Sequence, residues 1–547
     1  MNLLIKDGII IDGTSSSRFK ADILIKDEKI HKIAQNIEQN ADHIINANGK
    51  IVSPGFIDMH HHGDLMILEV PKAESSIMQG CTTLVVGVCG LSLAPSNDLI
   101  KDYYQNFVSN AFGMKGIHLY NNFQDLFDAI LKKGISPNLA FFLPHGNVRG
   151  MIMGLETRKA NDQEIKQMNE IVKENMEMGA FGLSTGLIYP PGSVTSTEEI
   201  IELCKIIRKY DGIYASHMRN EGTGVVSEGM NELIEICREA GVQGQISHWK
   251  AGSAFAWKLT DLMIENIRKV REAGLEIYAD MYPYEESSTS LTGALLRPWV
   301  YENFNENLTN PKTRKRIIEE TLDLFFENFL SDLPWYIRII PKSLLKHLIF
   351  YAAKKSVRII SVAYNHKIEG LFLGEALNKL YPKKRFVDAL LDFMRDEEGS
   401  IMISMKQMSE KKSILKLIKE DYVCIGSDGF LVKDANTHPR SYGTFPKILG
   451  DYVRNKRLFT LEEAVYKMTG LPAKILKLKD RGIIKEGYYA DLVIFDENKI
   501  IDKANYQNGR QFPEGIEYVI INGEITAKKN NHTGALKGKI LKHYRPD

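Results

Sequence analysis

The sequence lacks long apolar runs, an excess of charge and a dense set of cysteines, and each absence excludes a class of protein. No apolar run approaches the roughly 20 residues that a membrane-spanning helix needs, so no such helix is expected. The 547 residues carry a formal net charge of only +1, which does not favour a nucleic acid or another strongly charged partner. Five scattered cysteines, an odd number, do not form a disulfide framework. We therefore expect a cytoplasmic protein that begins with a short strand and turn instead of a signal peptide.

Apolar runs alternate with helical patterns along most of the chain after residue 54, within an ordinary globular composition of 44% hydrophobic and 25% charged residues. This alternation predicts a parallel (β/α)8 barrel like that of triosephosphate isomerase, with an open doubly wound sheet as the alternative. Nine candidate strands compete for eight places, and 401–404 or 182–185 is the expected outlier. The candidate strands are residues 56–59, 83–88, 139–143, 182–185, 213–216, 245–248, 277–282, 401–404 and 424–427. The predicted helices are residues 162–178, 198–210, 226–240 and 261–273.

The two ends of the chain and one internal stretch depart from this alternation. Residues 1–53 and 480–547 show short strands with tight turns, so we expect both ends to form one small β-sandwich domain beside a barrel at 54–479. Residues 297–363 are rich in aromatic and basic side chains and are predicted to be a mainly helical insertion in a barrel loop. This insertion is expected to be a surface subdomain or a lid over a pocket, and contact with a membrane surface is the weaker alternative.

Metal-binding side chains follow several of the candidate strands. His60 and His62 lie in the motif Pro-Gly-Phe-Ile-Asp-Met-His-His-His-Gly-Asp at 54–64. Side chains alternate along a strand, so His60 and His62 point to one face and His61 to the other. Taken singly, a cysteine after a strand is more often simply buried, a histidine is as often a core residue as a ligand, and an aspartate is often only a helix cap. Together they place N, S and O donors on one rim. The further donors are Cys89, His217, His248 and Asp428.

This donor set suits zinc. Zn²⁺ binds thiolate, imidazole and carboxylate groups, and a catalytic zinc site keeps one position open for water. Water bound to zinc loses its proton near pH 7. A nearby carboxylate can accept that proton and return it to a leaving amine. The sequence therefore predicts metal-assisted hydrolysis of an amide or ester-like bond.

Longer motifs are spread over nearly the whole chain, and the 297–363 insertion is the part with the least similarity. The motifs are residues 54–64, 87–95, 182–192, 216–221, 280–284, 438–440, 442–446, 468–473, 487–496 and 513–518. With the later histidines and the strand-terminal aspartate, they resemble the amidohydrolase superfamily. Within it the chain is similar to the N-acyl-D-amino-acid deacylase (D-aminoacylase) family. The resemblance implies zinc-dependent hydrolysis of N-acyl-D-amino acids to a carboxylate and a free D-amino acid.

The resemblance also implies where the metal binds. One tightly bound zinc is implied at Cys89, His217 and His248, and one thiolate with two imidazoles leaves a fourth position for water. A second, weaker metal position is implied near His60 and His62, and it need not be filled in active enzyme.

The same resemblance implies roles for residues around the metal. Asp428 is the implied general acid/base, whereas His61 departs from the small polar residue that the family more usually has there. The implied substrate carries a free carboxylate, which Arg and Lys bind through charge-assisted hydrogen bonds. His145 and Arg149 end a strand and receive no role. The candidates to hold the carboxylate or line the pocket are Lys250, Tyr282, Ser288, Arg440 and Tyr189.

Two other functions compete with deacylation. A cyclic-amide hydrolase of the hydantoinase or dihydropyrimidinase kind uses the same type of barrel, but that group usually bridges two metals with a carboxylated lysine. A non-catalytic scaffold descended from such enzymes typically loses metal ligands, whereas this chain keeps all of them. The expected partner is a small N-acyl amino acid.

Overall fold

Parallel strands separated by helices form the centre of the molecule. The computed structural model of the chain describes residues 2–104, 108–109, 117–330, 339–406 and 408–543. The central strands are β6 Phe56–Asp58, β7 Cys81–Val86, β8 Asn138–Phe141, β9 Leu143–Pro144, β10 Gly182–Gly186, β11 Ile213–His217, β12 Gln243–Ile246, β13 Ile277–Met281, β17 Val423–Ile425 and β22 Ile540–Leu541. They pair in parallel as a six-stranded sheet, β17-β13-β12-β11-β10-β9, and a four-stranded sheet, β22-β8-β7-β6. The α/β class predicted from the sequence is confirmed.

The predicted barrel is not closed by strand pairing among the described residues. On one side, the two sheets are joined by the chain itself, since only Phe142 separates β8 from β9. On the other side, the Met59 N–H donates one backbone hydrogen bond to the Ile425 oxygen at 3.2 Å. Because all these strands are parallel, the side chains that follow their carboxyl ends collect on one side of the molecule.

The helix Asp162–Met178 shows why these residues form helices between the strands. Asn161 accepts a hydrogen bond from the Glu164 N–H, and the Glu164 side chain accepts one from the Asn161 N–H, which caps the first turn reciprocally. Met168, Val172 and Met176 recur every four residues and are buried. The helix ends at Gly179, whose φ of 116° suits glycine. The sequence-predicted bounds of this helix agree with the structure.

Two other predicted helices have closely similar bounds, and the fourth begins with a π-helical turn at Val225–Met230. The described α-helices are Glu74–Ile77, Asp98–Tyr103, Phe123–Lys133, His145–Met153, Asp162–Met178, Thr197–Arg208, Asn231–Ala240, Thr260–Glu272, Leu291–Leu295, Phe304–Thr309, Pro311–Leu330, Lys342–Ser356, Leu373–Leu380, Phe386–Asp396, Lys411–Leu417, Arg440–Lys447, Leu461–Met468 and Gly470–Ile475.

One candidate strand lies outside the parallel sheets. β14 Ser287–Ser290, β15 Val357–Val362 and β16 Ile401–Met405 form a separate antiparallel sheet in the order β14-β16-β15. The expected outlier at 401–404 is therefore real, and 182–185 belongs to the parallel sheet as β10. A short apolar run has the same sequence pattern in either kind of sheet, so the pattern alone could not separate the two.

Strands from both ends of the chain form one nine-stranded sheet. β5 pairs with β18 in antiparallel fashion, which joins residues 51–54 to 492–495. The pairing defines a single sheet and does not by itself divide it into the two layers of the predicted sandwich. Its strands are β1 Asn2–Ile10, β2 Phe19–Lys26, β3 Lys29–Ala34, β4 His43–Asn46, β5 Ile51–Pro54, β18 Leu492–Phe495, β19 Ile516–Ile521, β20 Glu524–Lys528 and β21 Asn531–His532.

The end of the chain leaves this sheet. Ile540 and Leu541 form β22, which pairs in parallel with β8, so part of 480–547 belongs to the central sheets instead of the small β unit.

The described parts of the stretch, 297–330 and 339–363, are largely helical, as the composition predicts. Among its buried side chains, Val300, Ile317 and Ile359 pack in a second hydrophobic cluster, apart from the main core. Its last strand, β15, lines a cavity through Ile360 and Val362. Trp335 and Tyr336 lie outside the described residues. No helix in the described ranges is both long and apolar enough to span a bilayer.

Candidate metal centre

Cys89, which follows β7, is surrounded by three imidazoles. Its Sγ lies 3.3 Å from His60 Nε2, 3.5 Å from His248 Nε2 and 3.7 Å from His217 Nδ1. All four side chains are buried. The structure thus brings together the three predicted ligands of the tight zinc and adds His60, which the sequence motifs assign to the weaker position.

The donor chemistry of this cluster fits zinc. Burial alone would raise the pKa of the Cys89 thiol, but the charge on His60 and hydrogen bonds from His217 and His248 outweigh it and lower that pKa well below its usual value. The thiolate is the form that binds a metal. His60, Cys89 and His248 form one group whose ligand atoms lie within 4.8 Å of one another, close enough to share an ion.

Asp428 forms a second ligand group with His60 and His62. Its Oδ1 is 3.2 Å from His62 Nε2 and 3.8 Å from His60 Nε2. Its Oδ2 is 2.7 Å from Arg440 Nη1. Burial would raise the pKa of Asp428, but the charge on Arg440 and the hydrogen bond with His62 hold that pKa well below its usual range. The carboxylate is therefore ionised and able to accept a proton.

His61 is directed away from this centre, as alternation along the strand predicts. Its Nε2 lies 3.2 Å from Ser76 Oγ. Burial, with the charges on His62 and His60, lowers the pKa of His61 to about 3, so its ring is neutral at pH 7.

Glu221 lies near the ring nitrogens of His248 and His217 that do not face Cys89. Its Oε1 is 3.0 Å from His248 Nδ1, and its Oε2 is 3.9 Å from His217 Nε2. A carboxylate in this position holds the proton on Nδ1 of His248 and leaves Nε2, the atom that faces Cys89, free to bind a metal. Lys250 Nζ donates to Glu221 Oε1 at 2.7 Å and so balances its charge. Sequence reasoning missed Glu221, although it lies four residues after His217 in the motif 216–221.

Two further buried aspartates hold the loops of the site in place. Asp280 Oδ1 accepts a hydrogen bond from the His248 N–H at 2.8 Å and lies 3.4 Å from His60 Nδ1. Asp58 accepts hydrogen bonds from the Ser427 N–H at 2.7 Å and the His60 N–H at 3.3 Å. Both aspartates lie in the last two residues of their strands, β6 and β13, which was a usable signal for their roles.

Three donor residues have a left-handed backbone conformation. The φ angles are 53° at Cys89, 36° at His248 and 52° at Asp428. Such conformations cost about 1–3 kcal/mol at a non-glycine residue and persist only where the surroundings impose them. The Cys89 backbone passes so close to Gly186 that a Cβ atom there would lie only 2.3 Å from the Cys89 carbonyl oxygen.

The predicted substrate-binding residues differ in what they already contact. Arg440 stacks its guanidinium over the Tyr282 ring at 4.9 Å and donates to the Ser288 carbonyl at 3.4 Å. The Tyr189 ring lies edge-on to His217 at 5.2 Å. Lys250 Nζ is near three groups, Glu221 Oε1, His248 Nδ1 and the His248 carbonyl, at 2.7–3.1 Å.

His145 and Arg149 lie in a separate buried cluster. His145 Nε2 is 3.0 Å from Glu199 Oε1, and Arg149 pairs with the other oxygen of the same carboxylate. All three side chains are inaccessible to solvent. The cluster balances buried charge between two elements.

Comparisons with known proteins show the family of the chain. Residues 43–198 and 412–527 match the model of an amidohydrolase family. The chain is 30% identical over 542 residues to D-aminoacylase of Alcaligenes xylosoxydans xylosoxydans, covering 99% of this chain and 97% of that protein. It is also 30% identical to N-acyl-D-glutamate deacylase of the same organism, covering 96% of this chain and 93% of that protein.

A solved structure also matches nearly the whole chain. N-acyl-D-glutamate deacylase of Bordetella bronchiseptica, crystallised with zinc and a phosphonate inhibitor that mimics the tetrahedral intermediate, superposes with a TM-score of 0.79 at 27% identity, covering 99% of both chains. The chain belongs to the amidohydrolase family. Within that family, the predicted membership of the N-acyl-D-amino-acid deacylase group is confirmed.

Proposed function

We propose that the protein hydrolyses the amide bond of N-acyl-D-amino acids and releases a carboxylic acid and a free D-amino acid. The observation that carries the proposal is the thiolate of Cys89 within 3.3–3.7 Å of three imidazole nitrogens, with an ionised Asp428 beside them. Cys89, His217 and His248 would hold zinc tightly, and His60 and His62 with Asp428 would offer the weaker position.

The protein's own groups account for the proton transfers. Zinc bound at this site supplies a Lewis acid that polarises the amide carbonyl and makes water more acidic. Asp428 Oδ1 faces the imidazoles and accepts the proton of the attacking water, while its Oδ2 stays paired with Arg440. The protonated carboxyl then donates to the departing amine, which completes general acid/base catalysis by a single residue.

Arg440 is the best-placed anchor for the substrate carboxylate. Its Nε has no hydrogen-bond partner among the described residues, so it is a buried donor available to a substrate oxygen. Ser288 and the ring of Tyr282 lie beside it, and Tyr189 borders the site at His217. Lys250 is less available, because Glu221 and the His248 carbonyl already accept hydrogen bonds from its ammonium group.

The competing functions are less well supported. A cyclic-amide hydrolase would be expected to have a bridging lysine between its metal positions, whereas Cys89 lies between the histidines here. The retention of Cys89, His217, His248 and Asp428 in one buried cluster disfavours a non-catalytic scaffold.

Stereochemistry tests this proposal directly. The zinc-loaded protein should release amine from an N-acyl-D-amino acid at least 100-fold faster than from its L enantiomer. Comparing paired D and L substrates by amine release provides the measurement. Equal rates for the two enantiomers, or hydrolysis of dihydropyrimidines in preference to both, would contradict the proposal.

We also propose two finer features of the architecture and a location for the protein. The two parallel sheets act as one eight-stranded barrel flanked by a β-sandwich, with boundaries near residues 54 and 480. The 297–363 insertion acts as a lid, which its contribution of β15 to the wall beside the site supports. A reducing, cytoplasmic location is supported by the five cysteines, which are all free and buried.

Glu221 provides a further test of the metal site. Glu221→Gln should weaken zinc binding by about 10–100-fold, because the carboxylate no longer fixes the tautomer of His248. It should also destabilise the fold, since it leaves the buried Lys250 ammonium without its ionic partner. Zinc affinity by chelator competition and the midpoint of thermal unfolding measure the two effects.

A double variant separates these effects. Adding Lys250→Met to Glu221→Gln should restore much of the lost thermal stability without restoring zinc affinity. If both recover together, Glu221 serves only to balance charge, and its orienting role is wrong.

A further inference from the structure

A cavity of about 460 Å³ begins beside the metal centre. Arg440, the partner of Asp428, forms part of its wall, and so does Phe430, whose ring stacks on His62 at 4.8 Å. The far wall comes from β15 of the insertion and from Met402 of β16. Its size is within the range of small-molecule pockets. A substrate with its amide at the metal centre can therefore extend into it.

Apolar side chains make up nearly half of the cavity lining. Nine of its twenty lining residues have apolar side chains, among them Met66, Ile360, Val362, Met402, Phe430 and Leu431. These residues come from four separated parts of the chain, so the apolar surface is built by the fold and not by one local run.

Among the described residues that line the cavity, Arg440 is a buried cation and Lys433 an exposed one. Arg440 is already paired with Asp428 at 2.7 Å. Burial and the charge on Arg440 hold the pKa of His438 well below its usual value, so that ring is neutral. Lys433 and Asp434 carry opposite charges and are exposed at the rim. His366, also exposed, contacts Glu369 at 2.9 Å.

We infer that this cavity receives an apolar group of the substrate and that the enzyme prefers neutral, apolar N-acyl-D-amino acids to acidic ones. The inference rests on the proposed deacylase function and specifies its substrate class. One of the relatives is named for D-glutamate, so membership of the group leaves this choice open. Burying a second carboxylate against this apolar wall without a partner would be unfavourable.

The apolar group could be the acyl chain or the amino-acid side chain, and four substrates distinguish them. N-acetyl-D-alanine is the reference, N-acetyl-D-leucine enlarges the side chain, N-octanoyl-D-alanine enlarges the acyl chain, and N-acetyl-D-glutamate adds charge. Each buried methylene raises kcat/KM by up to about fourfold. We expect at least one enlarged apolar substrate to exceed the reference at least tenfold in kcat/KM, and the glutamate substrate to be the poorest.

The outcomes separate this inference from the proposed function. A higher kcat/KM for N-acetyl-D-leucine assigns the cavity to the side chain, and one for N-octanoyl-D-alanine assigns it to the acyl chain. If N-acetyl-D-glutamate is the best substrate, or if neither apolar substrate exceeds the reference, the inference is wrong while deacylation stands. If none of the D substrates is hydrolysed, the proposed function itself fails.

Substitutions within the cavity provide a second test. Met402 is only partly buried, so Met402→Arg can place a cation at the cavity wall. It should lower the ratio of kcat/KM for the preferred apolar substrate to that for N-acetyl-D-glutamate by at least tenfold. Ala363→Leu, which fills space without adding charge, should lower the ratio of the same apolar substrate to N-acetyl-D-alanine by at least threefold.

A matched substitution controls for general damage. Met178 is also partly buried but lies at the end of the helix Asp162–Met178, outside the cavity lining. Met178→Arg should leave both ratios unchanged. If Met402→Arg and Ala363→Leu also leave the ratios unchanged in folded protein, as checked by circular dichroism, the cavity does not select the substrate.

Discussion

Replacing Asp428 with asparagine is expected to lower kcat for N-acyl-D-amino acid hydrolysis by about 10²–10⁴-fold. The amide cannot accept the proton that the carboxylate takes from water or donate it to the leaving amine. Asparagine has nearly the same size and shape as aspartate, so zinc bound near Cys89 should remain. Steady-state kinetics of the zinc-loaded variant, together with its metal content, measure both parts of the expectation.

The appropriate control is another buried, ion-paired aspartate. Asp392 is 5% exposed and lies 2.8 Å from Arg314 within a distant helical part of the fold. Asp392→Asn should lower thermal stability without a comparable loss of kcat. If Asp428→Asn retains kcat within threefold of the unsubstituted protein, another residue must carry the proton.

Replacing Cys89 with serine is expected to weaken zinc binding by more than 100-fold. That loss exceeds the 10–100-fold typical of removing an outer-shell partner, because the substitution removes the only thiolate of the cluster. A serine hydroxyl is protonated at neutral pH and has little affinity for zinc. Activity without added zinc should fall to background, and chelator competition gives the change in affinity.

Cys237 offers a matched control, because it is fully buried in the helix Asn231–Ala240 away from the site. Cys237→Ser should reduce thermal stability by burying a hydroxyl, yet leave zinc affinity unchanged. Zinc affinity of Cys89→Ser equal to that of Cys237→Ser would show that Cys89 is not a ligand.

The alternation of strands and helices could be predicted from the sequence because burial imposes a regular pattern of apolar residues. The helix at 162–178 has a capping pair, an apolar face and a terminal glycine, which together define its ends. Whether the parallel strands close into a barrel was less predictable. It depends on single contacts such as that between Met59 and Ile425, which lie far apart in the chain.

The sequence likewise predicts some features of the site and misses others. Cys89, His217, His248 and Asp428 stand at strand ends, and parallel pairing carries them to one side of the fold. The sequence motifs assign His60 to a separate position, but its ring nitrogen is the nearest of the three to the Cys89 sulfur. Which nitrogen a ring presents depends on its rotamer, and a pattern of residue types does not contain that information.

The supporting residues were the hardest to foresee. Glu221 acts through its contact with His248, and an exposed glutamate in a loop would have the same local sequence. The cavity is assembled from β15, β16 and residues 430–441, and of these stretches only 438–440 belongs to a sequence motif. Such features depend on packing between distant segments.

The pairing of β5 with β18 has a consequence for how the protein is made. Residues 51–54 leave the ribosome more than 400 residues before their partner at 492–495. Translation at about 5–20 residues per second leaves that strand edge waiting for tens of seconds. During this interval an unpaired apolar edge is open to association with other nascent chains. Holdase chaperones that shield such an edge should therefore raise the yield of native protein more than faster translation does.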